Sequence, residues 1–216
     1  MTVLLTGYEP FGEHDENPSQ EVATDLNGQT VAGHEVIGRV LPVEYDVAGK
    51  RIVELIEEYD PNVVVSTGLA GGRSSVCLER VGINVNDCVT VPDNAGAEPH
   101  NEPIKEDGND AYFSTLPVVD IVESLLDSGV PSRVSNTAGT HLCNNALYST
   151  RDYVESNSLE ILSGFVHLPY LPRQAVRKAR ENRSESAGSV PPSMPLSLQT
   201  KAVKRVIALS TEHRQN

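Results

Sequence analysis

The sequence predicts an α/β protein, a three-layer α/β/α domain around a twisted, largely parallel central sheet. Short β-branched runs that close on glycine alternate with segments of helical apolar spacing along most of the chain. Such repeated strand–helix units fold most simply with strands parallel and helices on both faces. The 216 residues suit one domain with a single substantial core, with no internal repeat or low-complexity tract to suggest another architecture. Residues 1–216 are therefore read as one catalytic domain.

The elements follow in order. "TVLLTG" (2–7) is a buried-strand run ended by Gly7, and "SQEVATDLNG" reads as a helix with Ser19 as N-cap and Gly28 as stop. "EVIGRVLPV" (35–43) is strand-like. Residues 45–60 carry Val47, Ile52, Val53, Leu55 and Ile56 near helical spacing before Pro61. "NVVVSTGLAGG" (62–72) is a second glycine-closed strand, and residues 74–87 alternate as a third. Residues 92–110 form a long polar loop of the kind that often carries function. Beyond it lie a helix (118–129), a strand (132–139), a helix (140–156) and a strand (163–171). A helix opened by Pro172 (172–182), a surface loop (184–195) and a closing amphipathic helix (196–214) complete the chain. In a parallel sheet, functional loops lie at the carboxyl ends of strands, where "TGYEPFG", "TGLAGG" and "NTAGTHLC" are expected.

Composition excludes several classes. The net charge is −13, but residues 1–172 hold 27 acidic and 8 basic side chains, and residues 173–216 hold 3 and 9. Most of the surface repels nucleic acid and anionic membranes, and the basic tail is expected to dock on the acidic body. No apolar run approaches the ~20 residues of a bilayer span, and the N-terminus reads as a strand and not a signal peptide. Three cysteines without CxxC spacing argue against a disulfide framework or a zinc site and fit a reducing, cytoplasmic compartment. Five lysines against thirty carboxylates suit a solvent of high ionic strength.

The chemistry centres on Cys143. With Thr140 as N-cap, it falls in the first turn of a helix, where unpaired N–H groups lower a thiol pKa and can hold an oxyanion. A nucleophilic thiol needs a base, and the base an orienting group. His141 is two residues away and points elsewhere on a helix. His167 lies inside the apolar strand "GFVHLPY", and Glu79 is a carboxylate in a mostly apolar strand. A buried Glu and a buried His solve each other's burial problem and complete a Cys–His–Glu set.

The blocks "LLTGYEPFG…NPS", "GLAGGR…LERVGINVND", "VPDNAG", "AYFSTLP", "VSNTAGTHLCNNALY" and "GFVHLPYLPRQ" resemble the pyroglutamyl-peptidase I (pyrrolidone-carboxylate peptidase) family, in the same order, over about residues 3–174. The resemblance implies an α/β/α cysteine peptidase that removes N-terminal pyroglutamate from peptides without metal or other cofactor. It implies Glu79, Cys143 and His167 as catalytic residues. By the same resemblance Tyr8 and Phe11 sandwich the pyroglutamyl ring, and His141 and Leu142 form another part of the wall. The chain departs from many members at Leu69, where they carry Gln, and at His141, where they carry an aromatic residue. It also lacks the Arg that often precedes "PDN", and residues 184–195 have no clear counterpart. A homo-oligomer is compatible with the family. Two other readings fit part of the pattern: an amidase or nucleoside phosphorylase on a similar scaffold, and a peptide-binding module that has lost catalysis.

Overall fold

The computed structural model describes residues 1–88, 91–181 and 190–215. Among them a seven-stranded sheet has the order β2-β3-β1-β4-β9-β5-β8. The strands are β1 (Thr2–Tyr8), β2 (Thr30–Val31), β3 (His34–Leu41), β4 (Val63–Leu69), β5 (Val76–Glu79), β8 (Ser132–Ser135) and β9 (Leu162–Leu168). Two further strands, β6 (Val81–Ile83) and β7 (Ala111–Phe113), pair antiparallel as a separate ribbon. The helices are α1 (Pro18–Leu26), α2 (Tyr45–Tyr59), α3 (Val118–Asp127), α4 (Leu142–Ser156), α5 (Pro172–Glu181) and α6 (Leu196–Gln215).

Strand alternation assigns the two faces. Val3, Leu5, Val63, Val65 and Val166 join the core beneath α1, α3 and α6. Leu4, Tyr8, Val64 and Phe165 join the core beneath α2 and α4. The three-layer, largely parallel expectation holds for β3, β1, β4 and β9, which run parallel in register. β5 pairs antiparallel with β9, and β8 follows β5, so these two strands run the other way. The segment "NTAGTHLC" therefore does not leave a strand that points toward the loops after β1 and β4, as expected. Residues 136–141 instead carry the chain back, and α4 starts with Cys143 against Gly68 of β4.

Several local expectations shift. The alternating stretch 74–87 breaks after Glu79, and Arg80 separates β5 from β6. Asn17, not Ser19, caps α1; its side chain accepts from the Ser19 amide. The cap of α4 is His141, not Thr140, and it makes no side-chain capping bond. The basic tail docks on the acidic body as expected: Arg173 pairs with Glu16 and Glu21, and Arg177 with Asp15. Part of the expected 184–195 loop, residues 184–189, lies outside the described residues. Residues 190–195 are irregular apart from a bridge between Tyr170 and Ser193. Among the described residues no helix is long and apolar enough to cross a membrane.

Candidate active site

Two parallel strands set the floor. Gly68 of β4 lies in register with His167 of β9, so the imidazole rises from the face that Gly68 leaves bare. A Cβ at Gly68 would sit 2.7 Å from Cys143 Sγ and 2.8 Å from Phe165 Cζ. Glycine here is a packing requirement, because only its hydrogen lets the thiol settle onto the strand beside His167. From the far side, the antiparallel partner β5 brings Glu79 onto the same face.

Glu79 is 0% exposed and His167 4%. His167 Nδ1–H donates to Glu79 Oε1 at 2.7 Å, which leaves Nε2 as the ring nitrogen able to take a proton. Arg73, from the loop after β4, donates through Nη1 to the same Oε1 at 2.6 Å and is 23% exposed. Glu79 Oε2 is buried with no hydrogen-bond partner among the described residues. The neighbouring Ser135 hydroxyl donates instead to Thr137 O at 3.1 Å. Burial works to raise the Glu79 carboxyl, but His167, the nearby Ser135 hydroxyl and Arg73, in that order, outweigh it and hold it below its ordinary range. Burial lowers His167, and the Glu79 bond only partly restores it.

The expected fall in the Cys143 pKa is not found. Removal from water and the nearby charge of Glu79 push the thiol up to about 12, against a smaller opposing pull from Arg73 and its own backbone amide. Helix position alone neglects the burial of the sulfur, which lies against Gly68 of β4. A lowered His167 and a raised Cys143 both favour thiol and neutral imidazole over an ion pair.

The first turn of α4 is anchored from outside the helix. Asn144 accepts from Ile83 N at 2.9 Å and donates to Ile83 O at 2.8 Å and Val85 O at 2.9 Å. The first intrahelical bond runs from Asn145 N to His141 O at 3.1 Å, so the Cys143 amide precedes it and is directed at its own sulfur.

Beside the thiol is a narrow slot lined by Tyr8, Phe11, Leu69, His141 and Leu142. The four residues expected as its walls therefore share one slot with Cys143. The Tyr8 hydroxyl donates to Leu142 O at 2.7 Å, tying the loop after β1 to α4. His141 Nε2–H donates to Val91 O at 3.0 Å, and the ring packs 5.1 Å from Tyr45 and 6.3 Å from Phe11 between centroids. Burial lowers its pKa, and the wall is neutral. The polar loop contributes structure: Asn94 donates to Glu9 Oε1 at 2.8 Å and to Pro10 O at 3.0 Å, fixing the segment that presents Phe11. The slot opens into a cleft of about 290 Å³ lined by Cys143, His167, Arg73 and Asp87. A wider groove of about 650 Å³ between α2, α4 and residues 102–105 includes none of the three expected catalytic residues. Among the described residues no group of three or more His, Cys, Asp or Glu side chains is placed to hold a metal ion. Arg73 and Gly68 are the site residues that sequence reasoning missed. The "GLAGGR" block contained both, but neither a lone arginine nor a strand glycine announces its contact.

A thiol, an imidazole and a buried carboxylate beside a small neutral slot agree with what the sequence comparisons find. The sequence profile of the pyroglutamyl peptidase family matches residues 1–213. The chain belongs to this family. It is 39% identical over 212 residues to the pyrrolidone-carboxylate peptidase of Pyrococcus furiosus, covering 98% of this chain and 99% of the relative. It is 41% identical to that of Coprothermobacter proteolyticus, covering 97% of each. The solved pyrrolidone carboxyl peptidase of Thermococcus litoralis superimposes with a TM-score of 0.93 at 36% identity, covering 99% of this chain and 94% of that one. The fold is thus that of the pyroglutamyl peptidases.

Proposed function

We propose that Cys143, His167 and Glu79 carry out the reaction of this family, release of an N-terminal pyroglutamyl residue from a peptide. The observation that carries the assignment is the His167 Nδ1–H bond to fully buried Glu79, beside a cleft that His167 shares with Cys143. His167 Nε2 takes the Cys143 proton as the sulfur attacks the pyroglutamyl carbonyl. First-turn amides of α4 donate to the oxyanion. The imidazolium, stabilised by Glu79, returns its proton to the leaving amine and a thioester remains. Water attacks the thioester while Nε2 takes its proton, and the sulfur leaves and regains one.

The slot is aromatic, apolar and without a charged wall, as a lactam requires, but it holds only about 20 Å³, so its walls have to part to admit the ring. Tyr8, Phe11, His141 and Leu142 would hold the ring, and no ammonium group needs a counter-charge. With Leu69 where many members have Gln, lactam contacts fall to backbone groups and to the rest of the slot. A phosphorylase reading finds less support, since the cationic side chain of the cleft, Arg73, is engaged by Glu79.

The test is release of a pyroglutamyl reporter amide. Cys143→Ala and His167→Ala should each abolish it, and His141→Ala should retain much of it. Loss at His141 with retention at His167 overturns the assignment. Acid-rich, lysine-poor composition and free cysteines support a cytoplasm of high ionic strength, which activity and melting across a salt series would test. A homo-oligomer is proposed from the family resemblance alone and is tested by light scattering.

A further inference from the structure

We infer that Arg73 is a positioning residue of the reaction, the permanent counter-ion that keeps Glu79 ionised while His167 is neutral. The inference rests on the catalytic reading given above. Oε1 of Glu79 accepts two hydrogen bonds, from His167 Nδ1 at 2.7 Å and from Arg73 Nη1 at 2.6 Å. Burial lowers the His167 pKa, so the resting imidazole is held to Glu79 by a hydrogen bond and is a weaker source of positive charge than a guanidinium. A carboxylate sealed at 0% exposure, with its second oxygen unpartnered, requires a cation or it takes up a proton. Arg73 is the cation hydrogen-bonded to it among the described residues, and a guanidinium stays charged at every working pH. A protonated Glu79 could not stabilise the imidazolium that forms during attack.

The geometry keeps Arg73 at this task. Its side chain leaves the glycine-rich loop after β4 and lies at the cleft mouth, where Nη2 also donates to Thr137 O at 3.4 Å. That carbonyl belongs to the returning segment before α4, so one guanidinium braces both the carboxylate and the strand-to-helix turn that sets Cys143. The groups facing the cluster are Glu79 and Cys77 from β5, Cys143 from α4, and His141 and Asp87 across the cleft.

The charge also sets proton affinities. Arg73 lowers the pKa of both His167 and Cys143. On this inference its loss lets Glu79 take up a proton, so His167 loses the carboxylate that raises it as well as the smaller opposing pull of Arg73, and the acid limb of the kcat/KM–pH profile should move downward. Arg73→Met should lose roughly 10- to 100-fold in kcat with little change in KM, below the ~10²–10⁴ of a lost general base. Arg73→Lys should recover part of the loss and part of the shift. The experiment is the full pH profile of reporter-amide hydrolysis for Arg73→Met, Arg73→Lys and His167→Ala, with melting temperatures. Downward displacement of the acid limb in Arg73→Met, partly reversed in Arg73→Lys, supports the inference; upward displacement shows that Glu79 stays ionised without Arg73 and overturns it. A bell of reduced height but unchanged position assigns Arg73 to structure alone, and full activity in Arg73→Met removes any role. Either result with His167→Ala inactive overturns only the Arg73 inference; an active His167→Ala overturns the catalytic reading beneath it.

Discussion

Gly68→Ala is the substitution that most directly interrogates the site, since the added methyl lands where the nucleophile rests. Its Cβ would lie 2.7 Å from Cys143 Sγ and 2.8 Å from Phe165 Cζ. Ordinary contacts are about 3.5–4.0 Å, so the sulfur, the ring or the strand must move by about 1 Å. A misplacement of that size at a reacting atom costs about 10²-fold. Overpacking a filled core costs about 1–3 kcal/mol, which at about 2–4 °C per kcal/mol for a chain of this length lowers the melting temperature by several degrees. The assay is kcat/KM on a pyroglutamyl reporter amide beside a thermal melt, with Cys143→Ala as background for a double mutant. Deleting Sγ removes one of the two clashes, so Gly68→Ala should cost less stability in Cys143→Ala than in the native chain. Wild-type kcat/KM in Gly68→Ala, or equal melting penalties in the two backgrounds, would refute the claim that the thiol sits on this glycine.

Glu79→Gln keeps the shape but removes the charge that stabilises the imidazolium, and its amide can force the wrong imidazole tautomer. A loss of about 10³–10⁴-fold in kcat is expected by analogy with the loss of an orienting carboxylate in other triads, and a loss under tenfold would contradict the role. Iodoacetamide should modify half-buried Cys143 before the buried Cys77 and Cys88, with a rate that keeps rising through alkaline pH; peptide mapping showing a plateau below pH 8 would instead indicate a resting ion pair. Asn144→Ala leaves Ile83 N and Val85 O without their partner inside the fold, while Ile83 O keeps the Val85 amide, at about 1–3 kcal/mol for each group left unsatisfied. Urea melts measure it, and an unchanged midpoint would mean that α4 is not anchored there. Acid should destabilise the fold early. His14, His141 and His167 all have folded pKa values below the ordinary 6.5, so the unfolded chain binds protons first. Their contribution is present above about pH 6.5 and is lost as pH falls below it. Glu79, also depressed, extends the loss below its ordinary 4.5. A melting temperature flat from pH 7 to 5 would rule this out.

What the chain discloses and what it withholds divide along physical lines. Strand and helix runs are legible because burial imposes a period, and Glu79 and His167 stand out because a charge or an imidazole in an apolar run needs a partner. Cys143 is legible from its place at the start of a helix. The direction of β5 and β8 is not, since four-residue strands look alike in either sense and the reversal is absorbed by residues 136–141. Arg73 is hidden for a related reason: a charged residue after two glycines reads as a solvated loop until a carboxylate from another strand meets it. The thiol pKa fails most instructively. Helix position gives the sign of one contribution, whereas burial of the sulfur against Gly68 and the nearby charge of Glu79 supply a larger opposite one that only tertiary packing creates.

That reversal changes how the site must work. A thiol pushed up to about 12 beside a lowered imidazole disfavours a standing thiolate, so in the proposed mechanism the nucleophile is generated during attack. Creating charge in a sealed site is favourable only if the surroundings are already organised to receive it. Glu79 must therefore be ionised before His167 becomes positive, and the oxyanion donors must be fixed before the carbonyl becomes negative. In the proposed mechanism the first condition falls to Arg73 on Oε1, and the second to Asn144, which pins the first turn of α4 to β6. A reactive, permanently charged sulfur would be open to any electrophile; one that ionises only as the imidazole takes its proton is reserved for a carbonyl held in the slot between Phe11 and His141.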